Sequence, residues 1–159
     1  MTRFVADAML GSLARKLRIF GYDTLYFREG DDSEMESLAA EQGRVILTSD
    51  KRLYAHAIGH SARAVLVEGR TDRARLKSVR RQTGEMLSSR PNEASRCAAC
   101  NGELKKATRA EVEGCVPEKV ASRHRLFFVC TSCGKAYWRG GHWRKLRRLS
   151  YSLRMMDLS

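Results

Sequence analysis

Short apolar runs alternate with segments of helical periodicity through the first half of the chain. The apolar runs are short enough to be buried strands, and they lie at residues 4–8, 24–27, 45–48 and 64–67. Between them, apolar residues recur every three or four positions, and Gly21, Gly43 and Gly59 stand where helices are expected to end. A further helix is predicted from Thr71 to about Ser88. This order predicts an α/β fold with a doubly wound parallel sheet.

The alternation stops at residues 88–93, a polar stretch that contains Pro91. We therefore predict a domain boundary there. Beyond it, apolar residues at 126–129 and 136–138 predict strands of a small antiparallel ribbon. Apolar positions at helical spacing then predict a C-terminal helix with one buried face, formed by Trp143, Leu146, Leu149, Leu153 and Met156.

The positive charge lies mainly in the second half of the chain. Residues 1–68 carry 9 Lys and Arg against 10 Asp and Glu, whereas residues 96–159 carry 14 against 5. The formal net charge of +12 indicates an anionic partner, most simply nucleic acid. No apolar run approaches the roughly eighteen residues of a membrane span, and the N-terminal residues lack the pattern of a signal peptide. A cytoplasmic protein without a membrane partner is predicted.

Two groups of basic residues are candidates for contacts with nucleic acid. The first lies on the polar face of the helix predicted after Thr71 and comprises Arg73, Lys77, Arg80 and Arg81. The second follows Tyr137-Trp138 and comprises Arg139, His142, Arg144, Lys145, Arg147 and Arg148. Aromatic rings among arginines and lysines suit single-stranded nucleic acid, because bases stack on the rings while the cations contact phosphates. The alternative is that Trp143 packs in the core.

Four of the five cysteines form two pairs at two-residue spacing, Cys97 with Cys100 and Cys130 with Cys133. Two such knuckles supply the four thiolates of a tetrahedral, structural zinc site without an open position. The odd number of cysteines argues against a disulfide framework. Cys115 is then a spare thiol, and a zinc ion held by four cysteines does not need His142 as a further ligand.

Aspartates follow three of the predicted strands. Asp7 follows the first, Asp31 and Asp32 lie in the loop after the second, and Asp50 follows the third. Because the carboxyl ends of parallel strands meet at one edge of the sheet, these carboxylates can converge and hold Mg²⁺ or Mn²⁺. Such an ion would activate water for attack on a phosphodiester.

The alternative for these aspartates is that each caps a helix or a turn. Ser33 and Glu36 have the spacing of a capping box, which predicts that the second helix begins directly after the Asp31-Asp32 loop.

These motifs together resemble the Mut-seven C-terminal RNase domain family, which joins a PIN-like nuclease domain to a C-terminal zinc ribbon. In the first part the resemblance lies at residues 4–11, 17–24, 31–32 and 46–50. In the ribbon it lies at residues 96–102, 116–117, 130–134 and 137–143. It implies a PIN-like nuclease domain over residues 1–90 and a zinc ribbon with a basic C-terminal helix over residues 95–159.

The resemblance further implies a metal-dependent ribonuclease in which Asp7, Asp32 and Asp50 are catalytic, with Asp31 as the alternative to Asp32. The substrate would be RNA, with tRNA and ribosomal RNA as candidates. PIN nucleases usually have a fourth acid, for which the candidates are Glu34, Glu36, Glu68 and Asp72.

Two other functions are consistent with the sequence. One is an RNA- or ribosome-binding module with a vestigial site. The other, a phosphoacceptor domain, ranks last because such domains need a lysine after a late strand, where this chain has Glu68-Gly69.

Overall fold

Four parallel strands form the first sheet in the computed structural model, which describes residues 1–85 and 95–155. The strands are β1 (Phe4–Ala6), β2 (Thr24–Tyr26), β3 (Val45–Thr48) and β4 (Ala64–Leu66). Their order is β2-β1-β3-β4, so the chain first adds β2 on one side of β1 and then crosses to the other side for β3. The predicted α/β fold with a parallel sheet is confirmed.

Helices cover both faces of this sheet. The four helices are α1 (Gly11–Ile19), α2 (Asp32–Gln42), α3 (Lys51–Gly59) and α4 (Asp72–Thr83). Successive strand residues face opposite sides of a sheet. Phe4 accordingly packs in a core with residues of α1 and α4, while Val5 packs in a second core with residues of α2 and α3. The sheet is therefore the middle of three layers, with α1 and α4 on one face and α2 and α3 on the other.

Three predicted boundaries differ from the structure by two residues or more. The first strand ends at Ala6, because Asp7 caps a 3-10 turn over Ala8–Leu10. The capping box of α2 is formed by Asp31 and Glu34, since Ser33 already lies inside the helix. Helix α4 ends at Thr83 and not near Ser88, because Gly84 adopts a left-handed conformation with φ of 71°. The predicted helix end at Ser88 lies outside the described residues.

A second, antiparallel sheet has the order β5-β6-β7. Its strands are β5 (Leu104–Ala107), β6 (Phe127–Cys130) and β7 (Ala136–Trp138), and the short helix α5 (Glu118–Arg123) precedes β6. The two predicted strands are confirmed, whereas β5 was not predicted. Two of its four residues are the exposed lysines Lys105 and Lys106, so the segment lacks a strand-like apolar pattern.

The C-terminal helix α6 (Gly141–Met155) leaves this small sheet and returns to the first one. Leu153 is 1% exposed and belongs to the core between α1 and α4, and Leu149 packs against that core. The guanidinium of Arg80 donates to the carbonyl of Leu153. The predicted apolar face is therefore confirmed up to Leu153, and Met156 lies outside the described residues. The boundary predicted at residues 88–93 remains a prediction.

No helix within residues 1–85 and 95–155 is both long enough and apolar enough to span a membrane.

Candidate functional site

Asp7 and Asp50 lie at the carboxyl ends of the neighbouring strands β1 and β3. Between these two strands lies the topological switch point of the sheet, because β2 is added on one side of β1 and β3 on the other. Asp7 is 9% exposed, and its Oδ1 accepts a hydrogen bond from the Met9 amide at 2.9 Å. Its Oδ2 accepts from the hydroxyl of Thr48. That hydroxyl in turn accepts from the Asp50 amide at 2.9 Å. The buried Thr48 hydroxyl thus connects Asp7 with the backbone of Asp50. Doubly wound sheets bind ligands at this position.

The other predicted aspartates lie at the beginning of α2. Asp31 caps this helix and Asp32 is its first residue, and both are exposed. Asp50 is a helix cap as well, because its Oδ1 accepts from the Arg52 amide at 2.7 Å. Among the described residues, these four aspartates do not bring three carboxylate oxygens within 4.8 Å of one another. The structure therefore connects Asp7 with Asp50 and leaves Asp31 and Asp32 outside that hydrogen-bonded pair.

Each candidate for the fourth acid has a partner of its own. Glu34 completes the capping box, Glu36 contacts His56 and His60, Glu68 pairs with Arg81, and Asp72 pairs with Lys16 and Ser12. Burial by itself would raise the pKa of Asp72, but the hydrogen bonds from Lys16 and Ser12 lower it below the usual carboxyl value. Asp72 is therefore held in its ionised form between α1 and α4.

The four paired cysteines converge into one cluster. The Sγ atoms of Cys97 and Cys133 are 3.6 Å apart, those of Cys100 and Cys130 are 3.4 Å apart, and all four lie within 4.8 Å of one another. With Zn–S distances of about 2.3 Å, the sulfurs of a tetrahedral site lie about 3.8 Å apart. The four thiols can therefore hold a zinc ion. Cys115 is exposed and lies outside the cluster.

Backbone amides donate to two of these sulfurs, but of the two only Cys130 has its pKa lowered: at Cys100 the Gly102 amide is outweighed by the neighbouring cysteine sulfurs, which raise the pKa to about 12. The Gly102 amide donates to Cys100, and the amides of Ser132 and Cys133 donate to Cys130, at 3.4–3.5 Å. Burial raises the pKa of Cys97, but hydrogen bonds from the Tyr137 hydroxyl and from backbone amides lower it to about 6. A thiolate is the form that binds metal.

Gly102 is required by close packing against this cluster. A Cβ atom at this position would lie 2.8 Å from the Cys130 sulfur and 2.7 Å from the Ser132 hydroxyl. Only a residue without a side chain lets the backbone pass so close to the Cys130 sulfur.

The first knuckle is bonded to the parallel sheet through two side chains. Asn101 accepts from the Thr24 amide at 3.0 Å and donates to the Asp23 carboxylate at 2.8 Å. Arg18, which is 6% exposed, donates to the Thr24 carbonyl at 2.8 Å and to the carbonyls of Ala98 and Ala99 at 3.0 and 3.1 Å. The candidate metal centre is thereby fixed to α1 and β2.

A cleft of about 570 Å³ lies between α1, the second sheet and the beginning of α6. Its basic residues are Arg15, Lys16, Arg96 and Lys135, its aromatic residues are Tyr137, Trp138 and Trp143, and His142 also lines it. Trp143 is half-buried, and the guanidinium carbons of Arg139 and Arg147 lie 5.3 and 5.2 Å from its ring centroid. These are cation–π distances. The cleft thus combines positive charge with aromatic surface.

The sequence model of the Mut7-C RNAse domain family matches residues 2–150. The chain belongs to this family. No curated protein and no solved structure matches the chain. The matched region includes the parallel sheet, both cysteine knuckles and most of α6, so it contains every site described above. At the level of the family, the Mut7-C RNAse domain connects the chain with RNA and ribonucleases.

Several residues of this Mut7-C RNAse domain could not be identified from the sequence. Arg15, Lys16, Arg96 and Lys135 are far apart in the chain and face one cleft only after folding. Of the predicted basic residues on α4, Arg73, Lys77 and Arg81 are exposed, Arg80 is half-buried, and none lines this cleft. Arg144, Lys145 and Arg148 are exposed on α6. Thr48 was predicted only as part of a strand, and a buried threonine gives no sequence signal of its contact with Asp7.

Proposed function

We propose that this protein is a metal-dependent ribonuclease that hydrolyses phosphodiester bonds of RNA. The observation that carries the proposal is the pair Asp7 and Asp50, linked by Thr48 at the point where sheet growth reverses. Asp7, Asp32 and Asp50 would be catalytic, and with Asp31 they would hold Mg²⁺ or Mn²⁺. Carboxylate oxygens are the donors that such ions prefer. The ion would activate water and offset the charge that develops on the phosphodiester.

The residues around Asp7 support this role by fixing its orientation. The Met9 amide holds one carboxylate oxygen and the Thr48 hydroxyl holds the other, so the carboxylate plane is set by the fold. Asp50 and Asp32 are exposed, which leaves both within reach of solvent and of an RNA strand. A buried, oriented carboxylate linked through Thr48 to the exposed Asp50 suits a site that binds its ion from solution and keeps it in place.

We further propose that RNA binds along the cleft between α1 and α6. Its lysines and arginines would contact phosphates, and its aromatic rings would stack with bases. Zinc on Cys97, Cys100, Cys130 and Cys133 would hold β7, which carries Tyr137 and Trp138. The remaining candidate contacts are Arg73, Lys77, Arg80, Arg81, Arg139, His142, Arg144, Lys145, Arg147 and Arg148. A cytoplasmic location and a tRNA or ribosomal RNA substrate are part of this proposal.

The test is cleavage of a mixed cellular RNA pool by protein that contains one zinc per chain and no other divalent ion. We expect cleavage only after Mn²⁺ or Mg²⁺ is added, and we expect Asp7→Asn and Asp50→Asn to abolish it without loss of zinc. Glu113→Gln, which removes an exposed carboxylate near the second sheet, is the matched control and should cleave like the wild type. Cleavage by either aspartate variant at the wild-type rate would refute the assignment.

A second candidate function is RNA binding without catalysis. It is favoured by the capping roles of Asp31 and Asp50 and by the lack, within the described residues, of three aspartate oxygens close together. The same experiment separates the two functions. Salt-dependent retention of RNA by the wild type without cleavage under either ion would support the binding module.

A further inference from the structure

Glu36, His56 and His60 form a compact cluster on the face of the sheet that α2 and α3 cover. The two histidines are four residues apart at the end of α3, so both rings lie on one side of the helix. His56 Nδ1 lies 2.7 Å from Glu36 Oε1, and His60 Nδ1 lies 3.3 Å from Glu36 Oε2. The ring centroids are 4.1 Å apart. Three potential ligands thus converge from two helices.

We propose that these three side chains bind a divalent transition-metal ion of the zinc class. Two imidazoles and one carboxylate form a ligand set that zinc adopts when its fourth position is open. One atom from each of the three side chains already lies within 4.8 Å of the others. Ligand atoms at 2.0–2.1 Å from zinc lie about 3.3 Å apart in a tetrahedral site, so shifts of about 1 Å complete the arrangement.

The surroundings permit that adjustment. The histidine side chains are 53% and 60% exposed, which leaves space for a change of rotamer, whereas the Glu36 side chain is 14% exposed. The carbonyls at the end of α3 add partial negative charge beside the histidines, which favours a cation.

Space for a fourth ligand adjoins the cluster. A cleft of about 430 Å³ is lined by Glu36 and His60, together with Arg44 and Arg63. Arg44 is paired with Asp23 at 2.7 Å, so its charge is largely compensated. The open position of the ion would face this cleft and take a water molecule. This site is distinct from the aspartates at the sheet edge and does not depend on the proposed ribonuclease activity.

The test is calorimetric titration of ZnCl₂ into full-length protein whose four-cysteine site is already loaded, with zinc content measured beforehand. We expect the wild type to bind one further equivalent. Loss of an outer-shell partner alone weakens metal affinity by about 10- to 100-fold. His56→Gln, His60→Gln and Glu36→Gln, which remove ligands directly, should weaken the second site by at least about tenfold.

Two variants serve as matched controls. His124→Gln removes an imidazole from the second part of the chain, and Glu41→Gln removes an exposed carboxylate from α2 itself. Both should bind the second equivalent like the wild type, and circular dichroism should show that all five variants are folded. A wild type that binds no second equivalent, or ligand variants that bind it as tightly as the wild type, would overturn the proposal.

Discussion

Replacing Asn101 with glycine should weaken the bond between the first cysteine knuckle and the parallel sheet. Asn101 has φ of 70°, a left-handed conformation that glycine adopts more easily than any residue with a Cβ atom. The backbone of the knuckle is therefore expected to persist. The substitution removes only the side-chain amide, with its bonds to Thr24 and Asp23.

The size of the effect follows from the burial of these two partners. Thr24 is fully buried, so loss of the Asn101 acceptor would leave its amide without that bond at a cost of about 1–3 kcal/mol. The lost bond to Asp23 adds about 1 kcal/mol, since this carboxylate keeps its hydrogen bonds from Arg44. The free energy of unfolding should fall by about 3 kcal/mol. At about 2–4 °C per kcal/mol, the midpoint should fall by about 10 °C.

The assay is thermal unfolding of zinc-loaded protein followed by circular dichroism. Ser61→Gly is the matched control, because Ser61 also has a positive φ of 60° but is exposed and makes no side-chain hydrogen bond within residues 1–85 and 95–155. It should unfold at or slightly above the wild-type temperature. An unchanged midpoint for Asn101→Gly, or an equal decrease for Ser61→Gly, would show that the amide bonds do not hold the knuckle.

Two further predictions concern the sheet edge and pH. Thr48→Val keeps the shape of the buried side chain but removes the hydroxyl between Asp7 and Asp50, so it should lower the rate of metal-dependent RNA cleavage. Thr48→Ser keeps the hydroxyl and should retain most of that rate. Equal cleavage rates for the two variants would argue against a positioning role of Thr48. Because the pKa of Asp72 is lowered in the folded protein, its stabilising contribution is present above the ordinary carboxyl pKa of about 4 and is lost as the pH falls through the lower folded-state value. Asp72→Asn should therefore lower the free energy of unfolding at pH 7 by about 1 kcal/mol or less. The difference in unfolding free energy between this variant and the wild type should disappear near pH 2. A difference that persists at that pH would contradict the ion pair with Lys16.

Local patterns in the sequence were sufficient to predict much of the fold. The apolar runs predicted all four parallel strands, because strands buried on both faces have few polar residues. The spacing of Cys97, Cys100, Cys130 and Cys133 predicted their cluster, because a knuckle is a local turn that presents two thiols together.

Features that depend on tertiary contacts could not be predicted in this way. The predicted capping box of Ser33 and Glu36 is wrong, because Asp31 has the extended backbone of an N-cap and forms the box with Glu34. Arg18 is an ordinary basic residue in the sequence, yet it is buried because three carbonyls surround its guanidinium. The capping role of Asp50 is confirmed, while its catalytic role remains a prediction, since one carboxylate at a strand end is compatible with both.

The return of α6 to the parallel sheet has a consequence for how the molecule unfolds. The stretch with the four thiols starts at Arg96, whose amide donates to the Arg18 carbonyl, and ends at Leu153 in the core beside α4. Both ends of this stretch are therefore attached to the parallel-sheet part of the protein. The stretch behaves as a closed loop, and this closure restricts its conformations even when the contacts within the stretch are broken. If the four thiols hold zinc as proposed, removing that ion should loosen both attachment points, and the two sheets should then open as one cooperative unit in hydrogen exchange.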